Sequence, residues 1–328
     1  MRMTRITIYS LLALLVGVAI MWLTSSSGML GIFTQAVIYA IFALGVGVLL
    51  KQNGLVSFGH ALYFGGAGYG IGVLLQLQWM PAEWALLAVL VAMGLAAFLI
   101  GLVIVRVPGI AFGMLTLAIG QMIYLLAIRA RGITGGSDGM SINWPATLFG
   151  FPQATLLKPA VLFMIAWVLM LLVTYVLLWI LQTRFGAITE AVRDNEERAR
   201  FIGIPTTVPR AAVYALSAMI TGVAGLLSSL NTGFISPEGL HWSVSGVTLL
   251  MVVIGGFKRA VGPIIGAIVF VLLKDLLGEY ATYSMAIFGT ILIAVIVFSP
   301  EGIVGALEHA LKGRRASVIG HAASVPKE

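Results

Sequence analysis

The sequence predicts an all-α, polytopic membrane protein: about ten transmembrane helices in one bundle, with both termini on the cytoplasmic side. Three observations carry this. Of 328 residues, 60% are hydrophobic and 9% charged, and the mean hydropathy is +1.07, which leaves too little polar surface for a soluble domain. Apolar runs of about 18 residues recur along the chain, the length a helix needs to cross a bilayer. The 19 Lys and Arg residues fall mostly in alternate gaps between those runs, as the positive-inside rule requires.

The expected spans are 6–23, 30–50, 55–76, 84–105, 109–128, 160–181, 211–230, 242–257, 262–277 and 283–299. Arg2 and Arg5 before Ile6–Leu23 look like the start of a signal peptide. The run exceeds a typical cleaved segment, however, and Ser25-Ser26-Ser27 is a poor cleavage site, so it is expected to remain as the first span. With ten spans, 15 basic residues fall on the side of the termini and four (Arg129, Arg131, Lys158, Lys274) on the other. Span 55–76 carries Ser57, His60 and six glycines, after a turn at Asn53-Gly54. Span 109–128 contains Thr116, Gly120 and Gln121. Span 242–257 is short; it is expected to cross, because a re-entrant segment would put Lys312, Arg314 and Arg315 outside. Residues 129–159 and 231–241 become polar connections on the outer face. The membrane domain is 1–311, and the small, polar tail 312–328 is expected to be disordered.

Several function classes are excluded. With no cysteine there are no disulfides and no thiolate metal sites. Phosphate-loop, H-E-x-x-H and G-x-S-x-G patterns are absent, so the chain neither binds ATP in the usual way nor assembles a recognisable catalytic set. Its basic residues are spread through loops, which argues against nucleic acid. No ionisable side chain is expected at mid-span, against a proton- or sodium-driven carrier. Pairs such as Gly66/Gly70, Gly68/Gly72, Gly109/Gly113 and Gly262/Gly266 suit close helix packing.

One polar island, 182–210, holds nine of the chain's 31 charged residues, five of them arginines. Between Ile188 and Ile202 the spacing predicts one amphipathic helix, with Ile188, Ala191, Val192, Ala199 and Ile202 on one side. Asp194–Arg198 and Glu196–Arg200 are i,i+4 pairs, Gly203 suits the helix end and Pro205 stops it. An ordinary solvated loop remains an equal alternative on composition alone.

GAITEAVRDNEERARFIGI resembles the cytoplasmic loop of ABC-transporter permeases, in which a Glu-Ala pair precedes a glycine; Glu190-Ala191 and Gly203 hold those positions. The blocks GLVSFGHALYFGGAGY, LTLAIGQMIY, TGGSDGM, GFISPEGL, LLMVVIGG and GPIIGA follow in order. Together they resemble the LivM-type branched-chain amino-acid ABC permeases. The resemblance implies an inner-membrane subunit beside a second permease subunit, two ATP-binding subunits that carry ATP and magnesium, and a periplasmic solute-binding protein. This chain itself would hold no cofactor. It implies a coupling helix over Glu190–Gly203: Ile188, Val192 and Ile202 would make apolar contact with the ATPase, and Arg193, Asp194, Glu196 and Arg200 would pair with its side chains. Ser57, His60, Thr116, Gln121, Thr221, Ser228 and Asn231 are candidates to line a path for a small solute, or equally to make polar contacts between helices. Related permeases are implied for urea, amides and aromatic acids; a self-contained secondary transporter is the further alternative.

Overall fold

The computed structural model describes residues 2–24, 26–107, 109–278, 289–290, 293 and 302–306. Nine long helices match the first nine expected spans: α1 (Arg2–Leu23), α2 (Ser27–Asn53), α3 (Ala61–Leu77), α4 (Ala82–Ile104), α5 (Gly109–Arg129), α8 (Pro159–Leu181), α11 (Thr207–Thr232), α12 (Trp242–Gly255) and α13 (Val261–Leu276). Short helices α6 (Arg131–Thr134) and α7 (Gln153–Leu156) lie in the first outer connection, and α9 (Arg184–Asp194) and α10 (Glu196–Phe201) form the cytoplasmic island. The expected span 283–299, apart from 289–290 and 293, and the tail 312–328 lie outside the described residues.

The bundle is built on α2. From Ala36 to Leu49 every residue except Tyr39 is buried, as expected of a helix that is apolar all round and enclosed by its neighbours. Around it stand α8, α11, α12 and α13. Helices α1, α4 and α8 point Leu15, Leu95 and Leu172 outward, each more than half exposed, which is a lipid-facing surface.

Small residues set the closest approaches. A Cβ on Gly225 of α11 would overlap the Phe64 carbonyl of α3, and Gly255, Gly262 and Gly266 bring α12 and α13 together backbone to backbone. On α3, Gly66 and Gly70 face Met93 and Val89 of α4. Gly65, Gly68 and Gly72 face irregular chain: Gly239 and Leu240, Ile235, and Met140 with Ile142.

Three expectations are corrected here. Span 55–76 is helical only from Ala61; residues 55–60 are irregular and folded inside. The 231–241 connection does not stay on the outer face. β4 (Phe234–Ile235) pairs antiparallel with β1 (Met140–Ser141), and the chain then runs inward along the glycine face of α3. (A second hairpin, β2 Thr147–Leu148 with β3 Phe151–Pro152, stays in the outer connection.) Finally, the island is two helices. Asn195, at φ −157 and ψ 100, breaks it, and its side-chain oxygen accepts from the Arg198 amide to cap α10.

The depth of the inward turn follows from its contacts. Gly45 lies eight residues, ~12 Å, from the cytoplasmic end of α2, and its carbonyl accepts from Ser217, which His60 also contacts. Gly65, against which Gly239 packs, lies four residues, ~6 Å, above Ala61. Gly239 is therefore ~18 Å from the cytoplasmic end, near the middle of a ~30 Å hydrocarbon core. Helix α12 starts at this depth, which is why 14 residues suffice for it to reach the exposed Lys258 and Arg259 on the cytoplasmic side.

Candidate coupling helices and translocation site

Thr183 begins α9 by accepting from the Phe185 amide at 3.3 Å. The helix is then tied to the end of α2. Thr189 meets the Gln52 side-chain oxygen at 2.9 Å, and Arg193 donates to the Lys51 carbonyl at 2.6 Å. Val192 is fully buried. α10 is tied to the start of α11 through Glu196, which accepts from Arg200 at 2.5 Å, Arg210 at 2.6 Å and Thr206 at 3.0 Å. Asn53 donates to the Arg210 carbonyl and closes the joint. Partial burial pushes the Glu196 carboxyl up, but the Thr206 hydroxyl and the guanidiniums of Arg210 and Arg200 outweigh it and hold the group below its ordinary value.

These bonds redistribute the expected roles. The Glu196–Arg200 pair forms, whereas Asp194 pairs with its neighbour Arg193 because Asn195 interrupts the helix that would carry it to Arg198. Val192, Arg193, Glu196 and Arg200 are engaged within the chain. Ile188 is half-buried, Glu190, Ala191, Asp194 and Gly203 are exposed, and Gly203 has the positive φ of 82° expected of a helix-ending glycine. The apolar groups presented outward are Phe201, 89% exposed, and Ile202, 70% exposed. Sequence periodicity missed Phe201 because it assumed one continuous helix.

The expected path residues divide likewise. His60 is buried with both ring nitrogens occupied, at 2.8 Å from Ser57 Oγ and 2.7 Å from Ser217 Oγ. Because the Ser217 hydroxyl donates to Gly45 O, it accepts from His60 Nε2, so that nitrogen carries a proton. Thr116 accepts from the Phe58 amide, Ser57 from the Gly59 amide and Ser245 from the Ala61 amide. This network satisfies the irregular backbone before α3, the condition for keeping such backbone inside a membrane. Thr221 is buried beside Gly45. Ser57, His60, Thr116 and Thr221 are thus bundle contacts in this structure. Ser228 is half-buried, and Asn231 lines an outer cavity of ~330 Å³ with Thr34 and Gln153.

Gln121 is half-buried at mid-depth; its side-chain oxygen is itself buried and, like Thr221 Oγ1, has no partner among the described residues. Around it the fold brings groups that the sequence placed in a loop. Tyr124, one turn along α5, meets the His241 ring at 5.1 Å, and His241 Nδ1 lies 2.8 Å from Ser243 Oγ. Ser243 and Glu238 are exposed. The expectation that no ionisable group lies at mid-depth is therefore corrected, because Glu238 and His241 ride inward on the folded 231–241 segment.

A family model for the permease component of branched-chain amino acid transport systems matches residues 28–299. The chain belongs to that family. Among curated relatives, the high-affinity branched-chain amino acid transport system permease protein LivM of Salmonella typhimurium is 28% identical over 90% of this chain and 74% of its own length. The LivM of Escherichia coli is 28% identical over 95% of this chain and 78% of its own. The ribose import permease protein RbsC of Bacillus subtilis is 28% identical over 82% of this chain and 90% of its own length. No solved structure matches significantly. As a permease of this family the chain is a multi-pass membrane transport subunit.

Proposed function

We propose that this permease is the membrane subunit of an ABC importer in a bacterial inner membrane, and that it forms, with a second permease subunit, the path for a branched-chain amino acid or a related small solute. Two separate ATP-binding subunits hydrolyse ATP with magnesium, and a periplasmic solute-binding protein delivers the solute to the outer face built from 129–159 and 231–235. The observation that carries this is the α9–α10 pair. It is bonded to the ends of α2 and α11, yet it exposes Phe201 and Ile202 to the cytoplasm. An apolar knob on a rigid base suits a protein groove, since a movement of the groove is passed directly to two central helices. The amino-acid assignment rests on the two LivM relatives, which are matched over more of this chain than the ribose permease.

Gentle detergent purification from native membranes, with mass spectrometry of what remains bound, tests this. Recovery of a phosphate-loop ATPase and a second permease is expected. A single species, from a preparation in which other complexes survive, would favour a self-contained transporter instead.

A further inference from the structure

The fold carries a carboxylate to mid-membrane depth and leaves it without a countercharge. Glu238 opens the short turn Pro237–Leu240, whose neighbours Pro237 and Leu240 are buried, while its own side chain is exposed. Its backbone carbonyl accepts from the His241 amide at 3.1 Å, so Glu238 and His241 are three residues apart across one tight turn and share a face. The adjacent Gly239 packs on Gly65 near the middle of the hydrocarbon core. No salt bridge reaches Glu238 among the described residues; the described pairs are Arg193–Asp194, Arg200–Glu196 and Arg210–Glu196.

A charged side chain at that depth costs at least ~2.5–3.5 kcal/mol against lipid, so this face meets water or protein. Its surroundings are those of a small-solute site. Tyr124 and Trp242 supply aromatic surface, Trp242 with 42% exposure. Ser243 supplies an exposed hydroxyl. Acceptors and one negative charge, with no described cation beside them, favour a ligand that carries a positive charge.

We propose that Glu238, with Tyr124, His241 and Ser243, is the point at which the path recognises the ammonium group of its solute. This rests on the importer function proposed above and narrows it: ammonium-bearing solutes such as amino acids pass, while neutral amides and acid anions gain nothing from the site. Glu238 becomes a specificity residue within the membrane, separate from the selection made by the binding protein.

The test uses the complete importer in vesicles with its loaded binding protein, and reads solute moved per ATP hydrolysed. Glu238→Gln is expected to lower that ratio at least tenfold, with Glu238→Asp recovering part of it and Tyr124→Phe causing a smaller loss. A second measurement needs no transport. The chain has no cysteine, so Glu238→Cys gives a unique thiol, expected to react with a charged water-soluble thiosulfonate and to be protected by transported amino acid. A wild-type ratio in Glu238→Gln, or a thiol that never reacts, overturns the proposal while leaving ATP-driven uptake intact. Uptake independent of ATP would instead overturn the importer function itself.

Discussion

Phe201 and Val192 are both apolar residues of one cytoplasmic island, yet the structure gives them opposite consequences. Val192 is fully buried under α9, whereas Phe201 is 89% exposed at the end of α10. Truncating Val192 to Ala removes buried methyls and should destabilise the permease by ~1–3 kcal/mol, seen as a lower melting temperature with ATPase binding retained. Truncating Phe201 to Ala should leave the melting temperature unchanged. If Phe201 anchors the contact, losing ~2 kcal/mol there weakens ATPase binding about 30-fold, measurable by titrating the ATPase onto permease in nanodiscs. Equal binding by wild type and Phe201→Ala would remove Phe201 from the interface. Glu196 makes a pH prediction at the same scale. Its folded value is depressed, so the stability it adds is present above the unfolded carboxylate value, ~4.3, and is lost as pH falls through the lower folded value. Proteolysis of the 194–206 segment should stay slow at neutral pH and accelerate below pH ~4. Glu196→Gln should be cleaved faster at neutral pH and lose most of that acid response.

Glycine separates local propensity from packing at the scale of the helices. Gly31 and Gly225 are both inside long helices, where replacement by alanine favours helix by up to ~1 kcal/mol. Nothing lies within 4 Å of a Cβ at Gly31, while one at Gly225 would overlap the Phe64 carbonyl. Gly31→Ala should therefore raise the melting temperature slightly, and Gly225→Ala should lower it by several degrees, despite identical chemistry. If both variants rose together, the α3–α11 contact would not be this close in the membrane. The same contrast explains what was legible beforehand. Hydropathy located all nine apolar helices, because apolarity along a run of residues is a local property, but it took 242–257 for a full crossing where α12 has 14 residues and starts at mid-depth. The polar 231–241 stretch reads as a connection between spans, and within it Pro237–Leu240 forms one short 3-10 turn. Its depth was not legible: polar chain enters the bundle because Gly65, Gly68 and Gly72 leave a face for it, and only the fold shows what fills that face. The break at Asn195 was hidden for a related reason. Apolar residues continue at helical intervals on either side of it, so periodicity ran through a residue whose side chain was better used as a cap.

Among the described residues the outward surface differs in polarity from side to side, and on the importer function proposed above that difference points to a face for the second permease. α1, α4 and α8 present Leu15, Leu95 and Leu172 outward, as a lipid boundary demands. Beside α5, which exposes Ile110, Met114, Met122 and Leu126, the turn before α12 and its first residues also expose Glu238 and Ser243. Lipid cannot satisfy that second set, and a path between two permeases can: the methionines pack against protein while the polar groups meet the solute. Single cysteines introduced at Met114 or Met122 should therefore cross-link to the second permease through a short bifunctional reagent, in membranes and without solute. A cysteine at Leu95 should give no such product and should instead react with a thiol reagent carried on a lipid tail. Cross-linking from Leu95, with none from α5, would place the second permease on the opposite side of the bundle. Glu238 would then need water from elsewhere, so this result also bears on whether the mid-depth carboxylate can meet a passing solute at all.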